Sequence, residues 1–190
     1  VLTHHPVTEG EPDKGPGGRL RKMLARTLQT AASPSDDEFS DVLEILDAQH
    51  VKMSWQKALD RRQGDPEGAI TAARTTLESV CKLILDDLGV EYEGADDLPA
   101  LYGKVAKELR LAPSDHSEKA FKQILGGCMA VVNGLATIRN RLSDSHGQGK
   151  RAVRPSARHA NLTVNLAGTV AVFLVETWQV RKSESGTSQN

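Results

Sequence analysis

The sequence has few cysteines and few aromatic residues, and each shortage excludes a class of protein. Cys81 and Cys128 are the only cysteines among the 190 residues, which is too few for a disulfide framework or a cysteine-rich zinc site. Aromatic side chains make up 4% of the chain, and this argues against a stacking platform for single-stranded bases. Both cysteines fall within apolar helical patterns, so we expect small buried hydrophobic residues in a reducing compartment.

Neither sign of charge dominates the chain, and no apolar run is long. There are 24 Lys and Arg residues against 25 Asp and Glu, a formal net charge of -1 at pH 7. This balance argues against a uniformly basic nucleic-acid coat protein and against a strongly acidic tail protein. No uninterrupted apolar run reaches the ~18–20 residues of a membrane span, and residues 1–18 lack the apolar region of a secretory signal. We therefore expect a cytoplasmic protein with no membrane partner.

Composition divides the chain into four segments. Residues 1–18 are rich in proline and glycine, and residues 182–190 are small and polar, so we expect both ends to be disordered. Residues 19–64 are predicted to be an N-terminal helical extension whose role as hairpin, dimerisation arm or small second module stays open. Residues 65–181 are predicted to form the main helical bundle. The extension would hold a helix over 19–31 and a second whose apolar positions are Phe39, Val42, Leu43 and Leu46, continuing with a bend through Met53, Trp55 and Leu59.

The bundle segment repeats apolar residues with the period of an α-helix. Its strongest pattern covers residues 66–88, with Asp65 as N-cap, Pro66 as first helical residue and Gly89 as C-terminal cap. Gly126-Gly127 interrupts a later pattern and allows either close helix packing or a kink. Because no segment alternates apolar and polar residues at strand spacing, the predicted fold is an all-α bundle of four to five helices with an added N-terminal segment. The expected inward residues are Ile70, Ala73, Leu77, Val80, Cys81, Ile84 and Leu88; Leu98, Leu101, Tyr102, Val105 and Leu109; Phe121, Ile124, Leu125, Cys128, Val132, Leu135 and Ile138; and, from about Ser156 onward, Leu162, Leu166, Val170, Phe173, Leu174 and Trp178.

One segment departs from this apolar pattern. Arg139, Asn140 and Arg141 follow directly on the predicted helix, and His146 comes a few residues later. A histidine exchanges protons near neutral pH, and an arginine presents a fork of donors that matches phosphate oxygens. Such a pair suits metal-independent cleavage of RNA, in which the histidine deprotonates a ribose 2′-hydroxyl. The alternative is that the arginines cap a helix C-terminus and that His146 is an ordinary loop histidine.

Cationic residues cluster around this segment. Residues 139–158 carry six Lys and Arg residues, opposed by Asp144 alone. A local basic field suits a polyanion site, although a solvated basic loop has the same composition. No carboxylates and histidines have metal-ligand spacing, so we expect neither a metal nor a cofactor. The cations are Arg139, Arg141, Lys150, Arg151, Arg154 and Arg158.

A family resemblance rests on these residues. Arg139-Asn140 followed by His146-Gly147 after a long apolar helix resembles the Arg-x(4–6)-His motif of HEPN domains, and more narrowly the abortive-infection C-terminal family of bacterial phage defence. The resemblance covers about Asp65 to Trp178. It implies an all-α bundle, often dimeric, and a metal-independent endoribonuclease that acts as a toxin or defence effector. Its other supports are residues 73–80, Gly126-Gly127 and Arg158-His159-Ala160.

The resemblance also implies roles for single residues. Arg139 would bind the phosphate, Asn140 would orient the arginine or the substrate, and His146 would be the catalytic base or acid. A homodimer with a composite site would supply the second proton-transfer group as His146 of the other chain, and an antitoxin or defence-system partner would restrain it. Glu78 would orient the histidine or arginine, unless it is simply a surface carboxylate. The RNA-binding residues would be Arg141, Lys150, Arg151, Arg154 and Arg158.

Two other functions remain open on the sequence. The basic segment would also suit a non-catalytic HEPN module that binds RNA, a nucleotide or a phosphate of a partner. A helical oligomerisation domain without any chemistry would instead use the N-terminal helices for partner contact. Convergence of the arginine and histidine in one cleft favours the first two functions over the third.

Overall fold

Capping residues and apolar periodicity determine where the helices begin and end. The computed structural model describes residues 34–46, 48–143 and 154–187, in places the backbone alone, and all of them belong to one compact unit, Ser33–Asn190. The helix predicted over 19–31 lies outside the described residues. Within the described ranges there is no strand, and the all-α prediction is confirmed. The helices are α1 (Pro34–Ile45), α2 (Gln49–Arg61), α3 (Pro66–Asp87), α4 (Leu98–Glu108), α5 (Lys119–Ser143) and α6 (Ala157–Thr187), with a 3-10 turn at Pro113–Asp115.

Helix α3 has the boundaries that its capping residues predict. The Asp65 carboxylate accepts a hydrogen bond from the Gly68 N–H at 2.9 Å, and Pro66 is the first helical residue. Gly89 follows the helix with φ of 65°, a left-handed conformation that glycine adopts without strain. Both ends of α3 are therefore set by local chemistry.

Helix α3 is also the centre of the bundle, because it contacts α2, α4, α5 and α6. Helix α6 runs beside it in the same direction. At one end the Trp178 indole N–H donates to Asp87 Oδ2 at 2.9 Å. At the other end Arg62, just before α3, donates to Asn165 Oδ1 at 3.3 Å. The inward residues predicted for α3 are buried except Leu88, which is 39% exposed beyond the helix end.

The first two helices are separate rather than one bent helix. Helix α1 ends at Ile45 and α2 begins at Gln49. Phe39 meets Trp55 edge-on with ring centroids 4.2 Å apart, and both side chains are buried. Arg62 donates to both carboxylate oxygens of Asp36, at 2.6 and 3.3 Å. These contacts fix α1 against α2 and the bundle.

Several side chains that periodicity places inward are exposed instead. The apolar residues of α5 and α6 extend around more of each helix than the neighbouring helices cover. Of the seven residues predicted to face inward on α5, Leu125, Val132 and Leu135 are buried, Cys128 and Ile138 are partly buried, and Phe121 and Ile124 are exposed. The corrected positions are Met53 (64% exposed), Phe121 (53%), Ile124 (62%), Leu162 (60%) and Leu166 (39%).

Helix α6 is longer than predicted. It continues to Thr187, so the segment predicted to be a disordered tail from residue 182 begins as helix. Lys182 Nζ lies 2.7 Å from Asp87 Oδ1 and joins this extension to the end of α3. A cationic side chain near a helix C-terminus is also favoured by the helix dipole.

Among the described residues, two helices are long and apolar enough to cross a membrane when judged by length and composition alone. They are Lys119–Ile138 and Ala157–Glu184, and 17% and 44% of their respective apolar 18-residue windows are buried. Core helices of soluble proteins meet the same criterion, and α6 packs along α3 in this way. The expectation that the chain has no membrane partner stays a prediction.

Candidate functional site

Helix α3 carries a row of alternating charges at one-turn spacing. Arg74 Nη2 lies 3.5 Å from Glu78 Oε2, and Lys82 Nζ lies 3.6 Å from Glu78 Oε1. Residues four apart share one face of a helix, which accounts for the geometry. The Arg74 side chain is 8% exposed and that of Glu78 is 23% exposed. Glu78 is therefore a partly buried carboxylate between two cations.

This row bears directly on the role predicted for Glu78. Its described contacts are with Arg74 and Lys82 of its own helix, so it is more than a solvated surface carboxylate. A contact with Arg139 or His146 falls outside the described side chains, and the orienting role stays a prediction. Arg74 was not singled out from the sequence, yet it lies in the apolar stripe of α3, between Ile70 and Leu77. A charged residue in an otherwise apolar stripe is the signal that identifies it.

The direction of α5 determines where the predicted Arg-Asn motif lies. Leu125 and Met129 line an apolar pocket together with Ala106 and Leu111, near the end of α4. That same end of α4 receives the C-terminal part of α6, because Arg181 donates to the Glu108 carbonyl at 3.1 Å. Helix α5 therefore starts at the end of the bundle where α6 finishes. Since α5 and α6 contact each other, they run antiparallel.

The antiparallel arrangement brings two parts of the predicted site to one end of the bundle. The backbone of Arg139, Asn140 and Arg141 forms the last turns of α5, and Arg158 is in the first turn of α6. The side chains of Arg139, Asn140 and Arg141, and the whole of His146, Lys150 and Arg151, lie outside the described residues. Arg154 and Arg158 are both exposed, as a polyanion-binding role requires. The convergence of arginine and histidine side chains therefore remains a prediction.

A histidine that the sequence left unassigned caps α6. The backbone N–H of Ser156 donates to His159 Nδ1 at 3.1 Å, and Ser156 Oγ lies 3.0 Å from the same atom. A backbone N–H is an obligate donor, so Nδ1 is the acceptor and the neutral ring carries its proton on Nε2. The geometry is that of a capping box, with histidine in the place of the usual Glu or Gln three residues after the cap. The sequence signal for this cap was Ser156, a residue type that often caps helices, three residues before His159.

The cysteines do not contribute a nucleophile to the described structure. Burial raises the pKa of the Cys81 thiol to about 12, and the Glu78 carboxylate adds to the shift. Burial also raises the pKa of the Cys128 thiol. Both thiols stay protonated at neutral pH, and a thiol is a poor nucleophile in that form. Cys81 is fully buried as predicted, whereas Cys128 is half-buried.

Metal ligation finds no support among the described residues. No group of three or more His, Cys, Asp or Glu side chains is arranged to hold an ion in that part of the chain. The charged side chains that the described structure does bring together are Arg74, Glu78 and Lys82 on α3, while Arg154 and Arg158 are exposed near the start of α6.

Comparison with known families identifies the family to which the chain belongs. The fold is an all-α bundle with a basic segment between its last two helices. A family model described as Abi_C, a HEPN-like domain, matches residues 49–178. The chain therefore belongs to this family of HEPN-like domains, which is associated with abortive infection. Searches of curated proteins and of solved structures found no match.

The family match begins upstream of the domain boundary predicted from the sequence. It begins at Gln49, the first residue of α2, rather than at residue 65. Ser54 Oγ donates to the Ala72 carbonyl at 3.2 Å, so α2 is joined to α3 by polar contacts as well as by packing. Helix α2 is thus part of the HEPN-like domain, and within the described residues α1 precedes it.

Proposed function

We propose that this protein is a metal-independent endoribonuclease that acts as a toxin or effector in abortive infection. The observation that carries the proposal is membership of the HEPN-like Abi_C family over residues 49–178. The arrangement of the bundle supports it, because the end of α5 with Arg139 and Asn140 lies at the same end as the exposed Arg154 and Arg158. RNA is the substrate that this chemistry fits.

The proposed reaction assigns one role to each residue of the motif. His146 accepts the proton of a ribose 2′-hydroxyl, and the 2′-oxygen then forms a bond to the neighbouring phosphorus. Arg139 binds the non-bridging oxygens, where negative charge builds up, and Asn140 holds Arg139 or the substrate in position. The bond from phosphorus to the 5′-oxygen breaks, and that oxygen takes up a proton. The products are a 2′,3′-cyclic phosphate and a free 5′-hydroxyl.

The proton for the leaving oxygen requires a second acid, and we propose that a second copy of the chain supplies it. Its His146 would face the first across a composite site, in a homodimer. The exposed apolar face of α5 supports this arrangement, because the described part of the chain leaves most of it uncovered. Ile124 is 62% exposed, and a Cβ added at Gly127 or Gly134 would meet open space. Ala120, Ile124, Gly127 and Gly134 are exposed and follow a coiled-coil spacing, and Val131 and Ile138, which are partly buried against the core, continue the same spacing.

The basic residues would bind the RNA backbone on either side of the cleavage point. Arg154 and Arg158 are exposed in the described structure, and Arg141, Lys150 and Arg151 complete the proposed set. Such contacts neutralise phosphates without reading sequence. A toxin of this kind would act in the cytoplasm and would be restrained by an antitoxin or defence-system partner.

A non-catalytic HEPN module is the second candidate, and one observation favours it. The Glu78 carboxylate pairs with Arg74 and Lys82 of its own helix, and this competes with the role proposed for it in orienting Arg139 or His146. In that case the end of the bundle that carries Arg139, Arg154 and Arg158, the basic end, would hold RNA or a nucleotide without cleaving it. Binding would weaken steeply with salt, because it would rest on phosphate contacts.

Induced expression in bacteria tests the proposal. Wild-type protein is expected to stop growth and to degrade cellular RNA, whereas His146→Ala and Arg139→Ala are expected to do neither at equal protein level. His50→Ala is the matched control, because His50 is an exposed histidine of α2 outside the proposed site. Growth arrest with RNA loss in the His146→Ala culture would contradict the proposal, and RNA binding without cleavage would favour the second candidate.

A further inference from the structure

Helix α1 presents an acidic surface that the family domain does not include. Its sequence contains no basic residue, and Asp37, Glu38 and Asp41 are all exposed. No ion pair involves these three carboxylates within the described part of the chain. The helix therefore carries an uncompensated negative face, and it precedes the family match, which begins at Gln49.

A buried ion pair holds this acidic helix at a defined place on α6. Asp36 and Arg62 are 5% and 3% exposed, and the Arg62 Nη2 to Asp36 Oδ2 distance is 2.6 Å. The same guanidinium reaches Asn165 of α6 at 3.3 Å. The first turn of α1 is thus fixed beside Asn165 of α6. The exposed carboxylates of α1 therefore occupy a defined position on the bundle.

The surface of α6 consequently changes sign along its length. Arg158 is exposed in its first turn, and Asn165, where α1 is attached, lies seven residues later. At 1.5 Å per residue this separation is about 10 Å along the helix axis. Farther along, Glu38 of α1 and Glu176 of α6 line one groove together with Thr169 and Phe173. Thr169, which shares this groove with Glu38, lies about three turns from Arg158, and Glu176 lies about two turns farther on.

We propose that the carboxylates of α1 form an electrostatic boundary that keeps RNA off the flank of α6 and confines it to the basic end of the bundle. This inference rests on the proposed function, since it assumes that a polyanion binds near Arg154 and Arg158. The boundary sets where the RNA lies and lowers its overall affinity. It makes Asp37, Glu38 and Asp41 specificity-determining residues without any contact to the reacting atoms.

Electrostatic screening gives this boundary a measurable signature. The Debye length is about 30 Å at 0.01 M salt and about 8 Å at physiological salt. Charges of α1 thus act on phosphates near Arg158 at low salt and are largely screened at high salt. Removing them is expected to raise affinity for RNA about threefold to tenfold at about 0.02 M salt and less than about twofold at 0.3 M.

The test compares two triple variants of the full chain that change the net charge equally. One is Asp37→Asn, Glu38→Gln, Asp41→Asn in α1. The control is Glu91→Gln, Glu93→Gln, Glu118→Gln, three exposed side chains at the opposite end of the bundle. Fluorescence anisotropy measures binding of a short labelled oligouridine whose 2′-oxygens are methylated, so that the probe cannot be cleaved. Thermal unfolding confirms that both variants fold.

The outcomes separate this inference from the proposed function. A gain in affinity that is confined to the α1 variant and is lost at high salt supports the boundary. Equal gains in both variants would reduce it to an effect of net charge, and no gain would overturn it while the proposed function stood. A wild-type chain that binds no RNA at either salt concentration would contradict the proposed function itself.

Discussion

At the scale of single residues, Arg62 and Trp55 attach the first two helices to the bundle. Arg62 joins α1 to α6 through Asp36 and Asn165. Trp55 packs between Phe39 of α1 and Gly168 of α6. The sequence predicted an apolar helix around Trp55, but it gave no sign that Arg62 would be buried, because arginine is usually exposed unless paired. Its partners come from elements that are distant in sequence.

Replacement of Arg62 by Met is expected to destabilise the protein by about 3–5 kcal/mol, because it removes the guanidinium that neutralises the buried Asp36 carboxylate. Urea unfolding followed by circular dichroism measures the loss. Arg61→Met is the control, since Arg61 forms an exposed pair with Asp65 at 3.5 Å and should cost less than about 1 kcal/mol. Equal losses in the two variants would contradict the account.

Gly168 is a second residue whose role depends on close packing. A Cβ at this position would lie 2.8 Å from Trp55 Cη2, and Trp55 is buried. Gly168→Ala is therefore expected to destabilise the protein by about 1–3 kcal/mol through overpacking. Gly103→Ala, within α4 and facing open space, is expected to stabilise it by about 0.5–1 kcal/mol. Thermal unfolding of the two variants measures these changes in stability. A Gly168→Ala variant that is more stable than wild type would refute the packing argument.

At the scale of helices, the sequence predicted the boundaries of α3 better than the apolar faces of α5 and α6. The ends of α3 followed from Asp65, Pro66 and Gly89, because caps act within one turn of the chain. Exposure of Phe121 and Ile124 could not be predicted in this way. Periodicity identifies an apolar stripe, but only the packed neighbours decide how much of the stripe they cover.

The candidate site was predictable only in part for the same reason. Local sequence placed Arg139 and Asn140 at the end of an apolar helix, and the backbone of α5 agrees. The ion pairing of Glu78 with Arg74 follows from spacing on one helix, although it was not anticipated. The C-terminal end of α5 and the N-terminal end of α6 lie at one end of the bundle because α4 redirects the chain between α3 and α5. No local sequence pattern specifies that change of direction.

The stability that Asp87 of α3 contributes through its contacts with Lys182 and Trp178 of α6 is expected to depend on pH. A hydrogen bond from Lys182 lowers the pKa of Asp87 below its ordinary value of 3.8, and one from Trp178 contributes. A carboxylate whose folded pKa is lowered adds stability above its unfolded pKa and loses it as the pH falls through the folded pKa. Asp87→Asn should therefore be less stable than wild type at pH 7, and the difference should shrink as the pH falls below 3.8.

Urea unfolding at several pH values measures this difference. Lys182→Met removes the principal cause of the lowered pKa and should show the same loss at neutral pH, with the same convergence towards wild type in acid. A difference that is constant between pH 7 and pH 3 would show that Asp87 contributes only through packing.

At the scale of the whole molecule, the exposed face of α5 is the feature that the isolated chain does not explain. It is apolar, contains Gly127 and Gly134 with open space above them, and belongs to the helix that carries the proposed catalytic arginine. A homodimer formed through this face would bury it and would bring two copies of the motif into one assembly.

Replacement of Ile124 by Lys is expected to shift this dimer to monomer, because it places a charge in the proposed seam. Sedimentation velocity measures the change over a range of concentrations. Met53→Lys is the control, as Met53 is an equally exposed apolar residue of α2 (64%) outside the seam. A wild-type chain that sediments as a monomer at all concentrations would rule out the composite site.

RNA cleavage by the purified wild-type chain, compared with His146→Ala and Arg139→Ala, tests the central claim most directly. In the presence of EDTA, mass spectrometry of the fragments is expected to show 2′,3′-cyclic phosphate ends for wild type and intact RNA for both variants, with unchanged circular dichroism spectra. Cleavage that EDTA abolishes, or that both variants retain, would contradict the claim that this HEPN-like domain is a metal-independent ribonuclease.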